Sequence, residues 1–357
     1  MLTVLVVDDS ALMRRTLREA LEAESDIEVA FARDGEDALE QVQRVHPDVI
    51  TLDIHMPVMD GLTCLSHLMM DKSCPVIMVS SLTEKGALAT FEALELGAFD
   101  YVAKPGGTVS RDIESVRADL VAKVRAAVGQ RTGTQRSRPE PPKAAAPAPA
   151  PKAPATSASG DRLLLIGVST GGPRTLEGIL PKLSGSLDWP VLVIQHMPAS
   201  FTGVFARRLD GLCDMPVREV DRPSLLEPGV IYMARGDADI TLSRRPRGLN
   251  AVPSPAAGER LWHPSVSRFL QSAEGILDAT DLVGVLLTGM GDDGAPELAQ
   301  WRARGARTIA ESEETAVVFG MSQELINRDG ATEVLPAGRV ADRLNAWLNT
   351  GGVASCR

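Results

Sequence analysis

Leu163-Leu164-Leu165-Ile166-Gly167-Val168-Ser169-Thr170-Gly171-Gly172-Pro173 is an apolar run closed by a glycine-flanked serine and threonine. It predicts a strand, a tight turn and the start of a helix, the local signature of an α/β layer. Within it, Gly167-Val168-Ser169-Thr170-Gly171 has the G-x-S-x-G spacing of a nucleophile elbow. Such an elbow lifts a serine clear of the sheet, where backbone N–H groups can face a developing oxyanion. A glycine loop that cradles phosphate at a helix N-terminus predicts the same strand and helix. The motif alone does not separate the two chemistries, so what the rest of the chain brings to that sheet edge must.

Downstream the alternation continues. The pattern predicts a helix over Pro173–Leu183, a strand at Val191–Ile194, a helix near Thr202–Leu212, short strands around Val230–Met233 and Ile240–Leu242, and a helix at Ser265–Glu274. A strand at Leu282–Leu287, the turn Thr288-Gly289-Met290-Gly291-Asp292-Asp293-Gly294, a helix from Pro296, a strand at Arg307–Ala310 and closing helices complete a doubly wound parallel sheet over residues 161–350. Upstream, residues 1–128 predict five strands, Val4–Val7, Val29–Ala32, Val49–Leu52, Val76–Ser80 and Tyr101–Val102. Five helices alternate with them: Ser10–Glu22, Glu36–Arg44, Leu62–Met70, Lys85–Leu96 and Ile113–Val128. Residues 129–160 shift to Arg, Pro, Ala, Ser and Thr around Ala144-Ala145-Ala146-Pro147-Ala148-Pro149-Ala150-Pro151, a semi-rigid polyproline II spacer between two domains.

The 357-residue length exceeds what one hydrophobic core serves, in keeping with two domains. A hydrophobic content of 44% with 24% charged residues excludes wholesale disorder, and no apolar run is long enough to span a bilayer. No stretch resembles a signal peptide. Cys64, Cys74, Cys213 and Cys356 are scattered without a C-x-x-C pair, which argues against zinc or a disulfide framework and fits a reducing cytoplasm. A net charge of −10 opposes general attraction to nucleic acid or anionic lipid and favours protein partners or small substrates.

In the first domain Asp8 and Asp9 close the first strand, Asp53 the third and Ser80 the fourth, and Lys104 with Pro105 follows the fifth. Those strand ends converge on one edge of a parallel sheet. Three crowded carboxylates repel each other unless a divalent cation sits among them, and oxygen-only ligands suit Mg²⁺. A cation held there, with a lysine opposite, can stabilise a phosphoryl group arriving on Asp53. Aspartates at strand ends are most often turn and cap formers, but chance does not readily place these five residues at four strand ends of one sheet edge. Val6-Val7-Asp8-Asp9-Ser10, Leu52-Asp53-Ile54-His55-Met56-Pro57-Val58-Met59-Asp60-Gly61, Val79-Ser80-Ser81 and Tyr101-Val102-Ala103-Lys104-Pro105 resemble the response-regulator receiver domain. The resemblance implies a flavodoxin-like (CheY-like) fold, phosphotransfer from a histidine kinase to Asp53, metal at Asp8, Asp9 and Asp53, and switching through Ser80, Tyr101 and Lys104.

For Ser169 to act as a nucleophile it needs a base, and the base an orienting carboxylate. His196, in Gln195-His196-Met197-Pro198, follows an apolar strand and emerges at the same edge as Ser169. The turn after Leu282–Leu287 supplies Asp292 and Asp293. Singly, the histidine reads as a satisfied strand-end residue and either aspartate as a helix N-cap. Together, three strand ends delivering Ser, His and Asp favour hydrolysis, with His263 left as a rim or cap residue.

The order Ser, His, Asp differs from the Ser, Asp, His order of α/β-hydrolases. Ile166-Gly167-Val168-Ser169-Thr170-Gly171-Gly172-Pro173, Gln195-His196-Met197-Pro198, Leu287-Thr288-Gly289-Met290-Gly291-Asp292-Asp293-Gly294-Ala295 and Val317-Val318-Phe319-Gly320-Met321 resemble the catalytic domain of the chemotaxis protein-glutamate methylesterases, the CheB family. That resemblance implies Ser169 as nucleophile, His196 as base, Asp293 as orienting carboxylate and the Met290 backbone N–H as oxyanion donor, with no cofactor in this domain. It implies the methylated cytoplasmic helices of chemoreceptors as substrate, a chemotaxis histidine kinase as phosphodonor, and glutamine deamidation as a second reaction. Departures from the family pattern are Asp292 where asparagine is common, Arg235 for proline, Asp239 for histidine, Glu311 for glutamine and Ser322 for proline. They leave the triad intact and bear on substrate preference. A receiver joined to a DNA-binding output domain is excluded by the length and α/β pattern of residues 163–357. A catalytically silent signalling adaptor remains the competing expectation.

Overall fold

A computed structural model describes residues 1–71, 74–104, 110–133, 161–256 and 262–348. The first unit comprises β1 (Leu2–Val7), α1 (Ala11–Glu22), β2 (Ile27–Ala32), α2 (Gly35–Val45), β3 (Val49–Asp53), α3 (Gly61–Asp71), β4 (Val76–Ser80), α4 (Glu84–Leu96), β5 (Asp100–Ala103) and α5 (Ser110–Gly133). Its five strands are all parallel in the order β2-β1-β3-β4-β5, as the alternation predicts. Val4–Val7 and Val76–Val79 are buried because helices cover both faces, which is why these strands read as unbroken apolar runs. Ser10, Asp34 and Thr83 cap α1, α2 and α4 by accepting from the backbone N–H groups of Met13, Asp37 and Gly86. The strand order reverses between β1 and β3, so a crevice opens at their carboxyl ends. α5 continues to Gly133, past residue 128, because Gln130 to Thr132 are still compatible with a helix and the proline-rich composition starts only later. The Ala-Pro spacer, Pro105 and Cys356 lie outside the described residues.

The second unit comprises β6 (Leu163–Val168), α6 (Gly172–Ile179), β7 (Val191–Gln195), α7 (Ala199–Asp210), β8 (Val217–Val220), β9 (Ser224–Leu225), β10 (Ile231–Ala234), β11 (Ala238–Arg245), β12 (Gly248–Pro255), α8 (Val266–Ala273), β13 (Leu282–Leu286), α9 (Ala295–Ala303), β14 (Arg307–Glu311), α10 (Met321–Asn327), β15 (Glu333–Leu335) and α11 (Ala337–Leu348). Seven parallel strands run β15-β14-β13-β6-β7-β10-β8. Three places depart from the sequence expectation. α6 stops at Ile179 and passes into a 3-10 turn over Leu180–Lys182, because Pro181 lacks an N–H and its ring crowds the preceding turn. The strand expected at Ile240–Leu242 belongs to a separate antiparallel sheet, β11-β12-β9, whose alternating buried and exposed residues fit a layer wetted on one side. The polar edge strands β8 and β15 carry too few apolar residues to be read from pattern alone.

The units meet where α4 and β5 lie on α7. Phe91 of α4 stacks on Phe205 with ring centroids 5.0 Å apart and meets Phe201 edge-on at 6.2 Å, while Tyr101 of β5 stacks on Phe201 at 4.8 Å. Arg207 pairs with Glu84 at 3.0 Å, and Arg208 joins Glu177 of its own unit to Glu95 of the other. The aromatic contacts carry most of the attraction, since exposed ion pairs contribute little. Phe91→Ala is therefore expected to remove about 3–5 kcal/mol of packing and undock the units. Small-angle X-ray scattering should show a larger radius of gyration while each unit keeps its own unfolding transition; an unchanged radius would shift the docking onto the arginine pairs.

Candidate active site

At the carboxyl ends of β1 and β3, Asp8, Asp9 and Asp53 present carboxylate oxygens within 4.8 Å of one another. Lys104 Nζ lies 2.7 Å from Asp53 Oδ2 and 3.0 Å from Asp8 Oδ2. Arg14 Nη1 holds the Asp8 carbonyl at 2.7 Å and the Asp9 carbonyl at 3.0 Å, which shapes the turn. Burial, with Asp53 beside it, pushes the Asp8 carboxyl above its ordinary value despite Lys104. Burial pulls the Lys104 ammonium down, but its hydrogen bonds to Asp53 and Asp8 outweigh that and raise it. The buried Asp8 Oδ2 faces only the Lys104 ammonium. Three hard carboxylate donors this close together fit a divalent cation of the Mg²⁺ class.

Ser80 Oγ, at the end of β4, donates to the Gly86 carbonyl at 3.2 Å. Tyr101 is not in this pocket. Its ring is buried in the domain interface against Phe201, with Lys123 Nζ 5.0 Å from its centroid, and burial holds its phenol well above the usual range.

In the second unit β6 lies between β13 and β7, so the loops after all three strands converge. The pairing continues past the strand ends: Leu287 N donates to Gly167 O at 3.0 Å, Ser169 N to Thr288 O at 2.9 Å and His196 N to Val168 O at 3.1 Å. Gln195 Nε2 donates to the carbonyls of Ser169 and His196, both at 3.0 Å. Gly171 takes φ +77°, a left-handed turn that glycine adopts freely. A Cβ on Gly289 would come within 2.7 Å of Ser169 Cβ, so only glycine lets that loop close on the serine.

His196 Nε2 lies 2.9 Å from Asp293 Oδ2. Asp293 also accepts from Ser265 Oγ at 2.8 Å, Val266 N at 2.7 Å and Ser267 N at 3.0 Å, which places its carboxylate on the N-terminus of α8. Burial alone would raise the Asp293 pKa, but the bonds from His196, Ser265 and Ser267 hold it well below the ordinary carboxylate range. The other imidazole nitrogen, Nδ1, is buried and makes no hydrogen bond. It is the atom left for a proton from the buried Ser169 hydroxyl. The Met290 N–H has no acceptor among the described residues, while its neighbour Gly289 is clamped by Val318, Gly320 and Met321. An imidazole held by a buried carboxylate, a serine on an elbow and an unclaimed N–H are the parts of acyl transfer.

The departures from the family pattern also find places. Asp292 is exposed and 3.5 Å from Arg328 Nη2, and Arg235 is exposed. Asp239 is buried with His263 Nδ1 2.9 Å away. Ser322 Oγ donates to Leu286 O. Glu311 is fully buried, accepting from Thr288 N and Thr315 Oγ1, both at 2.8 Å, and burial raises its carboxyl. Sequence reasoning missed Ser267, the second use of Ser265 and the stacking of Trp262 on His196. A serine before an apolar helix signals an N-cap, and nothing local signals that the cap also holds a carboxylate 28 residues away.

Residues 164–344 match the family model described as CheB methylesterase, and residues 4–110 match that of the response regulator receiver domain. A Rhodospirillum rubrum protein named protein-glutamate methylesterase/protein-glutamine glutaminase 3 is 51% identical, over 98% of this chain and 97% of its own length. A Vibrio cholerae protein with the same name is 44% identical over 91% of this chain and 90% of its own. Among solved structures, the Thermotoga maritima CheB methylesterase catalytic domain is similar at a TM-score of 0.50 and 34% identity, over 52% of this chain and 98% of that one.

Three outcomes are expected here. Asp293→Asn should lower turnover of an ester substrate by about 10³–10⁴ through the wrong histidine tautomer. A depressed carboxyl contributes stability above its unfolded pKa of about 3.9 and loses it as pH falls towards its folded value. The gap in urea midpoint between parent and Asp293→Asn should therefore be constant above about pH 5 and shrink below about pH 4. Glu311 has the opposite sign, since a raised carboxyl destabilises the fold as pH rises past about 4.3. Glu311→Gln should gain stability relative to parent from pH 4 to 7, and a flat difference in urea melts across that range would rule this out.

Proposed function

The chain belongs to the CheB methylesterase family with a response-regulator receiver domain in front, and from that premise we propose that it is a phosphorylation-controlled protein-glutamate methylesterase with a Ser169-His196-Asp293 triad. The observation that carries this is the hydrogen bond from His196 Nε2 to the ionised Asp293, which leaves the buried Nδ1 without a partner on the residue next to the β7 end that pairs with the elbow strand. Ser169 Oγ attacks the ester carbonyl carbon of a glutamate γ-methyl ester while His196 Nδ1 takes its proton. The oxyanion faces the Met290 N–H. Collapse breaks the C–O bond to methoxide, which leaves as methanol with the proton from His196. Water, deprotonated by the same nitrogen, then attacks the acyl carbon, and the Ser169 Oγ–C bond breaks as His196 returns the proton to Oγ, which releases glutamate. A glutamine side chain follows the same course with ammonia as the leaving group.

Asp53 receives the phosphoryl group from a histidine kinase, and Lys104 stands ready to pair with it. Asp8, Asp9 and Asp53 would hold Mg²⁺, which neutralises charge on the transferring phosphoryl oxygens. α5 of the receiver faces the triad loops across a cavity of about 600 Å³ lined by Arg117, Val121, Arg125, Met290 and Val318. A docked receiver thereby limits the approach of a receptor helix, and phosphorylation releases it. The cytoplasm is the compartment where such a kinase and receptor helix meet. No described helix is long and apolar enough to cross a membrane.

Methanol release from methylated receptor, with and without a small phosphodonor, tests this. The parent should be stimulated by the phosphodonor, Asp53→Asn should lose that stimulation, and Ser169→Ala should fall to background. Undiminished release by Ser169→Ala would refute the triad, and no release by any form would favour the silent adaptor.

A further inference from the structure

His196 is tethered through one nitrogen only, Nε2 to Asp293, so that hydrogen bond alone leaves the ring free to tilt about it. The indole of Trp262 removes that freedom. Its plane lies 2° from that of the imidazole with ring centroids 5.2 Å apart, an offset parallel stack. The same indole reaches towards the oxyanion loop, where Nε1 lies 3.6 Å from the position a Cβ on Gly291 would take. The segment that follows it is pinned at two points. His263 Nδ1 is 2.9 Å from Oδ1 of the fully buried Asp239, and Ser265 Oγ donates to Asp293 at 2.8 Å. Trp262-His263-Pro264-Ser265 is thus a strap that touches both the base and its carboxylate.

We propose that Trp262 is a positioning residue for His196, keeping Nδ1 aimed at Ser169 and favouring the imidazolium that forms as the serine proton is taken. An indole face attracts a cation more than a neutral ring, so the stack is stronger in the transition state than in the ground state and acts on turnover rather than on binding. Asp239 and His263 secure the strap, because a carboxylate buried this deeply needs a partner. This inference rests on the triad reading above.

The test uses the full chain with Trp262→Phe, which keeps a flat aromatic face, and Trp262→Leu, which keeps an apolar cover without one. In methanol release from methylated receptor, Trp262→Leu should lower kcat by about two- to thirtyfold with KM within about twofold, and Trp262→Phe should recover most of the loss. ¹⁵N spectra of the histidine rings should show a single sharp His196 ring signal in the parent and Trp262→Phe, and one broadened by ring motion in Trp262→Leu, with the Nε2–H tautomer kept by Asp293 in all three. A Leu variant with parental kcat and linewidth would overturn the proposal, as would a loss confined to KM or a Phe variant as impaired as Leu. If the parent releases no methanol, the methylesterase reading fails, whereas the linewidth measurement still decides the role of Trp262.

Discussion

The second domain turns on one carboxylate. Asp293 is ionised because the N-terminus of α8 and Ser265 surround it with donors, and it is placed because β13 and β6 pair side by side. A buried carboxylate left to itself would neutralise. Here the helix N-terminus and the His196 N–H together outweigh burial, so a negative charge persists behind the imidazole. The tautomer of His196 follows from that charge, and it leaves Nδ1 as the nitrogen without a hydrogen bond. Loss of the α8 cap would therefore change His196 without touching it.

The receiver solves a related electrostatic problem differently. Asp8 and Asp53 are buried together, and Lys104 spans them at 3.0 Å and 2.7 Å in place of a helix N-terminus. A flexible ammonium can yield to a cation or a phosphoryl group, whereas backbone donors cannot move aside. One site is built to be rewired and the other to stay as it is. Between them lie Tyr101 and Phe201, whose stack joins β5 to α7, so the strand that leads to Lys104 also carries the residue that grips the catalytic unit.

Much of this was legible in the linear chain. The parallel strands announce themselves because both of their faces are buried, and glycine, serine, aspartate and histidine at strand ends mark the edge where chemistry sits. Ser169, His196 and the Asp292-Asp293 turn could be brought together on paper because a parallel sheet sends all its carboxyl ends the same way, and the family resemblance picked Asp293. One assignment was weaker. Ile240–Leu242 was expected in the alternation but folds into an antiparallel sheet, since a short apolar run does not declare its partner.

The sequence by itself determined the two-domain α/β architecture, the acidic cluster at Asp8, Asp9 and Asp53, and the three strand ends that carry Ser169, His196 and the Asp292-Asp293 turn, because periodicity and strand-end chemistry are local properties. Only the tertiary structure decided which nitrogen of His196 meets Asp293, that Ser265 and Ser267 hold that carboxylate, that Trp262 lies against the imidazole, and that Glu311 is buried beneath Thr288. Each of these depends on packing between segments far apart in the chain, where the free energy lies in desolvation and hydrogen-bond geometry rather than in composition.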